Sequence, residues 1–245
     1  MTELGVFVPD WPLPPNVRAA STTRAGGCSR APYGSFNLGD HVGDRPVAVA
    51  RNRDLLCDAL GLAQAPAWLS QVHGTEVAGP AQPPGVAADA RYADCSGVVC
   101  AVLTADCLPL LLCSDDGQEV AAVHCGWRGL VGGIVGRALA HFRAPAAEIS
   151  AWLGPAIGPS AFEVGAEVRE AFLSAAGGSG ECFIAGRGDR WLADLAGLAR
   201  RALTAGGVRR VYGNGACTVT DVERFFSYRR DGVTGRMASL VWRTE

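Results

Sequence analysis

Short, densely apolar runs alternate with polar, glycine-rich connections along this chain, and the period of the apolar positions changes from one segment to the next. Residues 97–114 (GVVCAVLTADCLPLLLCS) hold two runs of strand length that meet near Asp106–Pro109 and are apolar on both faces, the pattern of buried strands. The segments 119–126 (EVAAVHCG), 149–154 (ISAWLG) and 208–213 predict further strands. Residues 46–61 (PVAVARNRDLLCDALG) predict a helix, with proline at the start and Gly61 as the stop. Helices are also predicted at 130–142, 164–176 and 191–206. Residues 66–79 alternate like a strand reaching His73, and 225–229 with 237–242 read as a closing strand pair. Residues 1–20 carry Pro9, Pro12, Pro14 and Pro15 and predict an extended lead-in. Residues 21–44 are polar and glycine-rich, and a connection that long in a compact domain is usually functional. The Gly-rich patch 177–181 reads as a local loop.

Strands and helices alternate, but some strands adjoin with no helix between them. The expectation is an α/β (α+β) fold, a layered sandwich of mixed β-sheets flanked by helices, built as one domain over residues 1–245.

Composition narrows the function. A formal net charge of −2 gives no electrostatic case for binding nucleic acid or an anionic membrane. All 22 basic residues are arginine, which removes Schiff-base, P-loop and lysine-base mechanisms. No apolar run approaches the ~18 residues of a membrane-spanning helix, and the N-terminus lacks a secretory pattern. Nine cysteines without a CxxC pair argue against a disulfide framework and for a reducing cytoplasm.

Against that background, three side chains stand out at the ends of apolar runs: His73, Cys107 and His124. A strand-end or core histidine is the ordinary reading of either imidazole alone. Taken together, two imidazoles and a thiol match a catalytic zinc site, which keeps three protein ligands and one open position. The same residues also allow a Cys–His hydrolase with Cys107 as nucleophile and either histidine as base, or a two-His, one-Cys copper centre. With four histidines in the chain, a trinuclear copper cluster is excluded by count. Cys125 adjoins His124, but neighbours on a strand face opposite ways, so it is expected to point away from the site.

The motifs STTRAGGCSRAPYGSFNLGDHVGD, SQVHGTEV, VLTADCLPLLL, VAAVHCGWRGLVGGIV, LGPAIGPSAFEVG and FFSYRRDGVTGRMASLVW together resemble the laccase-domain family. That family is also called polyphenol-oxidase-like or peptidoglycan-editing-factor, and includes zinc-dependent purine nucleoside phosphorylases with adenosine deaminase activity. The resemblance covers most of the chain. It implies that His73, Cys107 and His124 bind zinc, copper being the weaker candidate, and that Arg24 and Asn37 border the substrate cleft. It implies as substrates the purine nucleosides adenosine, inosine and methylthioadenosine, together with phosphate. A peptidoglycan-precursor amidase or a copper-dependent polyphenol oxidase are the alternatives it leaves open. A zinc-stabilised protein without enzymatic activity is the reading outside catalysis. The chain departs from the family pattern at VHCGW, where alanine usually follows the histidine, and at GPSAFEVG, where a cysteine and a tyrosine often precede Glu-Val-Gly.

Phosphorolysis needs a phosphate clamp, for which the planar guanidinium is suited; Arg24, Arg128 and Arg229 are the candidates. Deamination needs a carboxylate to move protons, for which Asp106 and Glu163 are the candidates, Asp106 alternatively orienting its neighbour Cys107. The expected assembly is a monomer or homodimer.

Overall fold

The computed structural model describes residues 4–175, 178–213 and 215–244. Thirteen strands and six α-helices follow one another in the order β1 (Val6–Phe7), β2 (Val17–Thr22), α1 (Pro46–Leu60), β3 (Val77–Ala78), β4 (Ala90–Ala93), β5 (Val99–Thr104), β6 (Leu108–Ser114), β7 (Val120–Cys125), α2 (Trp127–Val131), α3 (Ile134–Leu139), β8 (Ile149–Leu153), β9 (Glu163–Val164), α4 (Ala166–Ser174), β10 (Phe183–Ala185), β11 (Trp191–Ala193), α5 (Leu195–Ala205), β12 (Arg210–Gly213), α6 (Tyr228–Asp231) and β13 (Met237–Arg243), among the described residues. They build a four-stranded sheet in the order β1-β2-β13-β5, a six-stranded sheet in the order β12-β8-β6-β7-β4-β3, and a small sheet β10-β11-β9. The six-stranded sheet is mixed, parallel at β12–β8 and β3–β4 and antiparallel elsewhere.

The alternation of side chains explains the layering. On β6, Leu111 and Cys113 face the four-stranded sheet and pack with Val17, Ala19, Cys100, Val102 and Val241. Leu110 and Leu112 face the other way, into a core completed by α2–α5 through Leu130, Ile134, Val135, Val168, Leu198 and Leu203. Leu56 of α1 covers the outer face of the four-stranded sheet with Ala101, Leu103 and Leu240. The result is helix, sheet, sheet, helices: the layered α/β fold the pattern predicts.

Several segments differ from the sequence expectation. The lead-in is not wholly irregular: β1 and β2 lie within 1–22 and join the four-stranded sheet. Residues 66–79 are mostly loop, with one bridge at Ser70 and the short β3 at the end. The segment expected as one helix at 164–176 begins as strand β9 and becomes helical at Ala166; Ala176 lies outside the described residues, as does Gly177 of the 177–181 loop. Trp191–Ala193 is strand, so α5 starts at Leu195, capped by Asp194, which accepts the Gly197 N–H at 2.8 Å. Likewise, 225–227 is a buried irregular segment and 228–229 open α6, so no strand forms there; Phe225 and Phe226 pack with Met237 rather than on a ladder.

The long 21–44 connection is ordered by one side chain from α1. Buried Asn52 donates to Ser29 Oγ (2.9 Å) and to the carbonyls of Ser35 (3.2 Å) and Asn37 (2.8 Å), and accepts the Cys28 N–H (2.9 Å).

Candidate functional site

β5 and β6 lie in different sheets, so residues 105–107 carry the chain from one layer to the next. The tightness of that step places Asp106 at φ +91, a region a branched or bulky side chain would resist. Cys107 follows directly and is half-buried at the mouth of the step. On the neighbouring strand β7, Pro109 pairs with His124 and Leu108 with Cys125. The strand period then sorts the two adjacent residues. His124 has the parity of Val120 and Ala122 and turns toward the space between the sheets; Cys125 has the parity of Ala121 and Val123 and is fully buried on the helix side.

His73 arrives from a separate loop. It sits at φ +59, and the reason is visible in its neighbours: the N–H groups of Val72, His73 and Gly74 converge on the carboxylate of buried Asp89 at 3.1, 2.9 and 2.7 Å. The same carboxylate accepts the Nδ1–H of His124 at 2.8 Å. Asp89 therefore positions two imidazoles at once. Burial works against its charge, but the bond from His124 and the loop N–H groups hold it below the usual carboxylate range.

These contacts bring one donor atom each from His73, Cys107 and His124 within 4.8 Å of one another. Cys107 Sγ lies 3.9 Å from His73 Nε2, and the two imidazole rings meet edge to face at 4.8 Å. Gly126 closes the floor: a Cβ there would sit 3.1 Å from His73 Cδ2 and 3.2 Å from Cys107 Sγ. Burial would raise the Cys107 thiol, yet His124 beside it, helped by His73, brings it down to about 6. His124 is raised to about 9, with Cys107 and Asp89 overcoming burial. The metal-free cluster thus pairs a thiolate with a protonated imidazole, and a metal bound there would take the place of the His124 proton.

The residues present fit a zinc ion. Tetrahedral zinc puts nitrogen and sulfur donors about 3.5 Å apart; Cys107 Sγ and His73 Nε2 at 3.9 Å are close to that spacing, and the three donors, within 4.8 Å of one another, would draw together around an ion. Asp89 takes up His124 Nδ1 and leaves Nε2 free to bind, the carboxylate–histidine arrangement that orients metal-binding imidazoles. His73 is exposed while His124 is buried, so the open side of the cluster faces solvent at His73.

The other residues singled out in the sequence fall in distinct places. Asp106 lies beside the donors, but both its oxygens are engaged: Thr218 Oγ1 and the Arg229 N–H each donate to it at 2.6 Å. Arg229 also donates from its guanidinium to the Glu163 carbonyl at 2.8 Å, which brings Glu163 to the same corner. Glu163 is exposed and lies on a strand, not at a helix start. Arg128 is exposed at the beginning of α2, just past Gly126, with its guanidinium 4.5 Å over the Trp127 ring. Arg24 lines a different hollow of about 590 Å³, with Gly34, Ser35, Val222 and Glu223, and donates to the carbonyls of Gly34 and Val222. Asn37 is fully buried; its amide donates to the Gly39 carbonyl and Asp44 and accepts the Gly39 and Arg236 N–H groups, which uses all four of its hydrogen-bonding positions.

Two residues at the site escaped sequence reasoning. Asp89 stands alone in an alanine-rich stretch, and its only signal is a carboxylate between two apolar neighbours. Arg236 follows Thr-Gly just before β13, where an arginine reads as a surface strand-end charge.

This is a layered α/β protein in which a strand, the step between the sheets and a separate loop bring two imidazoles and a thiol to one solvent-open cluster. The chain belongs to the family described as multi-copper polyphenol oxidoreductase laccase, whose model matches residues 18–244. It is 52% identical over 239 residues, 97% of this chain and 98% of the relative, to a Shigella flexneri protein named purine nucleoside phosphorylase YfiH, and 51% identical over the same length to the Escherichia coli (strain K12) protein of that name. Among solved structures it resembles Neisseria meningitidis protein NMB0706, with a TM-score of 0.93 and 46% identity over 98% of this chain and 100% of that one. Of the four histidines, only His73 and His124 join the cluster; His41 lies beside Asp40, and His141 packs on Tyr92.

Proposed function

We propose that this protein is a zinc-dependent purine nucleoside phosphorylase acting on adenosine, inosine and methylthioadenosine, with adenosine deaminase activity at the same site. One observation carries the reading. The donor cluster of His73, Cys107 and His124 occurs in a chain about half identical, over nearly its whole length, to proteins named purine nucleoside phosphorylases. Zinc, when bound, supplies Lewis acidity at the open side of the cluster.

The chain's own residues divide the remaining work. Asp89 fixes the His124 tautomer and the His73 loop. Asp106, held by Thr218 and Arg229, keeps Cys107 at the step between the sheets. Glu163 is the exposed carboxylate we assign to proton transfer, since no hydrogen bond within the described residues occupies its side chain. Arg128 and Arg229 offer planar forks to phosphate, while Arg24 and Asn37 serve the site through the 21–44 loop they brace. Nine free cysteines suit a reducing cytoplasm. Among the described residues no helix is long and apolar enough to cross a membrane.

A nucleoside panel tests the proposal. Zinc-loaded protein is expected to release hypoxanthine from inosine and adenine from adenosine and methylthioadenosine only when phosphate is present, and ammonia from adenosine without it. Absence of base release from every nucleoside with phosphate present would rule the reading out.

A further inference from the structure

Beside the donor cluster, one cation lacks a counter-charge. Arg236 immediately precedes β13, and its side chain is threaded past Gly39, where a Cβ would lie 2.7 Å from Arg236 Cγ. Its backbone N–H donates to Asn37 Oδ1 at 2.9 Å, and one guanidinium nitrogen donates to the carbonyls of Thr234 (3.1 Å) and Gly235 (3.0 Å). The guanidinium lies 5.9 Å from the Tyr228 ring. Its remaining N–H groups find no acceptor among the described residues, and it forms no ion pair there. Burial disfavours its charge; Cys107, Asp106 and Tyr228 act on it in the opposite sense, so it lies within their electrostatic reach. The Asp106 oxygens, however, are already taken by Thr218 and Arg229.

His41 lies within the electrostatic reach of Arg236; burial first, and then Arg236, hold its imidazole below the ordinary range, and His41 and Arg53 both contact Asp40, at 3.5 and 3.2 Å. Asp40 is thus engaged by Arg53 and His41, and no ion pair joins it to Arg236 among the described residues. The carbonyls of Thr234 and Gly235 hold one side of the guanidinium in place, and the planar fork that remains suits a tetrahedral oxyanion taken bidentately.

We propose that Arg236 is the anchor for inorganic phosphate at the candidate site. The assignment rests on the phosphorolysis reading and moves the principal phosphate contact from Arg24, Arg128 and Arg229 to a residue fixed by the 21–44 loop.

The experiment compares wild type with Arg236→Gln and Arg236→Lys, using inorganic phosphate as the probe. In phosphorolysis, Arg236→Gln is expected to raise the KM for phosphate about 30-fold, with the nucleoside KM changing less than about 3-fold; Arg236→Lys, which keeps charge but loses the fork, falls between. A phosphate KM left at the wild-type value while kcat or the nucleoside KM moves overturns the assignment. Phosphate binding followed by equilibrium dialysis separates this inference from the functional one. If wild type shows no phosphorolysis yet binds phosphate, and Arg236→Gln binds it about 30-fold more weakly, the functional reading fails and the anion site stands. Equal binding by wild type and variant, or none by wild type, overturns the site. Should Arg236→Gln fail to fold, the Lys variant alone decides by the same two readouts.

Discussion

Four hydrogen bonds end on the carboxylate of Asp89: three from the loop that carries His73, one from the ring of His124. At the scale of the residue, this is what makes two distant imidazoles act as one site. Asp89→Asn keeps the size but replaces one acceptor oxygen with a donor, facing N–H groups that need acceptors. We expect the variant to fold with reduced stability and to bind zinc about 10- to 100-fold more weakly, as read by titration against a chromogenic chelator; zinc affinity equal to wild type would remove Asp89 from its orienting role. His73, Cys107 and His124 were legible in the sequence because each ends an apolar run in a polar loop. Asp89 was not, because its importance lies in what it accepts across 15 to 17 residues from the His73 loop and 35 from His124. Asn37 shows the reverse. The resemblance places it at the border of the substrate cleft; its own hydrogen-bonding capacity is turned inward, to Gly39, Asp44 and Arg236.

At the scale of elements, the strands with continuous apolar patterns were readable and the mixed ones were not. β5 and β6 announce themselves by composition, but nothing local says that they belong to different sheets. β4 (ARYA) was missed because it contains an arginine, and Arg91 is completely buried; carbonyls of Gly79, Gln82 and Pro83 accept from its guanidinium and make that tolerable. β4 and β7 are further tied to the segment after α3 by buried Glu119, which accepts the Tyr92 hydroxyl and the N–H groups of Arg143 (2.8 Å) and Ala144 (2.9 Å). Burial would raise the Glu119 carboxyl, but these donors hold it below its ordinary value. A depressed folded-state pKa contributes stability above the unfolded value of about 4.3 and loses it as pH falls through the folded one. Glu119→Gln should therefore cost about 1–3 kcal/mol at pH 7, and the gap to wild type should close as the pH is taken below about 4. Denaturant midpoints measured across pH 3–7 check this; a gap that stays constant would mean the carboxylate's charge is not what stabilises the junction.

At the scale of the molecule, two sheets stacked between helix layers form the core without help from the donor cluster, which occupies one edge. The layered mixed-sheet class was readable from strands that adjoin without helices, whereas the pairing of β13 between β2 and β5, across more than 130 residues, has no local signature. Because the core is complete on its own, the cluster is free to be an open catalytic site rather than a structural staple. On the proposed reading, its chemistry depends on a single ion held by three side chains. The decisive measurement is a zinc titration of metal-free protein, followed by phosphate-dependent release of hypoxanthine from inosine. Activity should rise in proportion to added zinc and saturate at one zinc per chain, and Cys107→Ala, still folded, should stay silent throughout. Activity that is indifferent to zinc, or that persists in Cys107→Ala, would contradict the account.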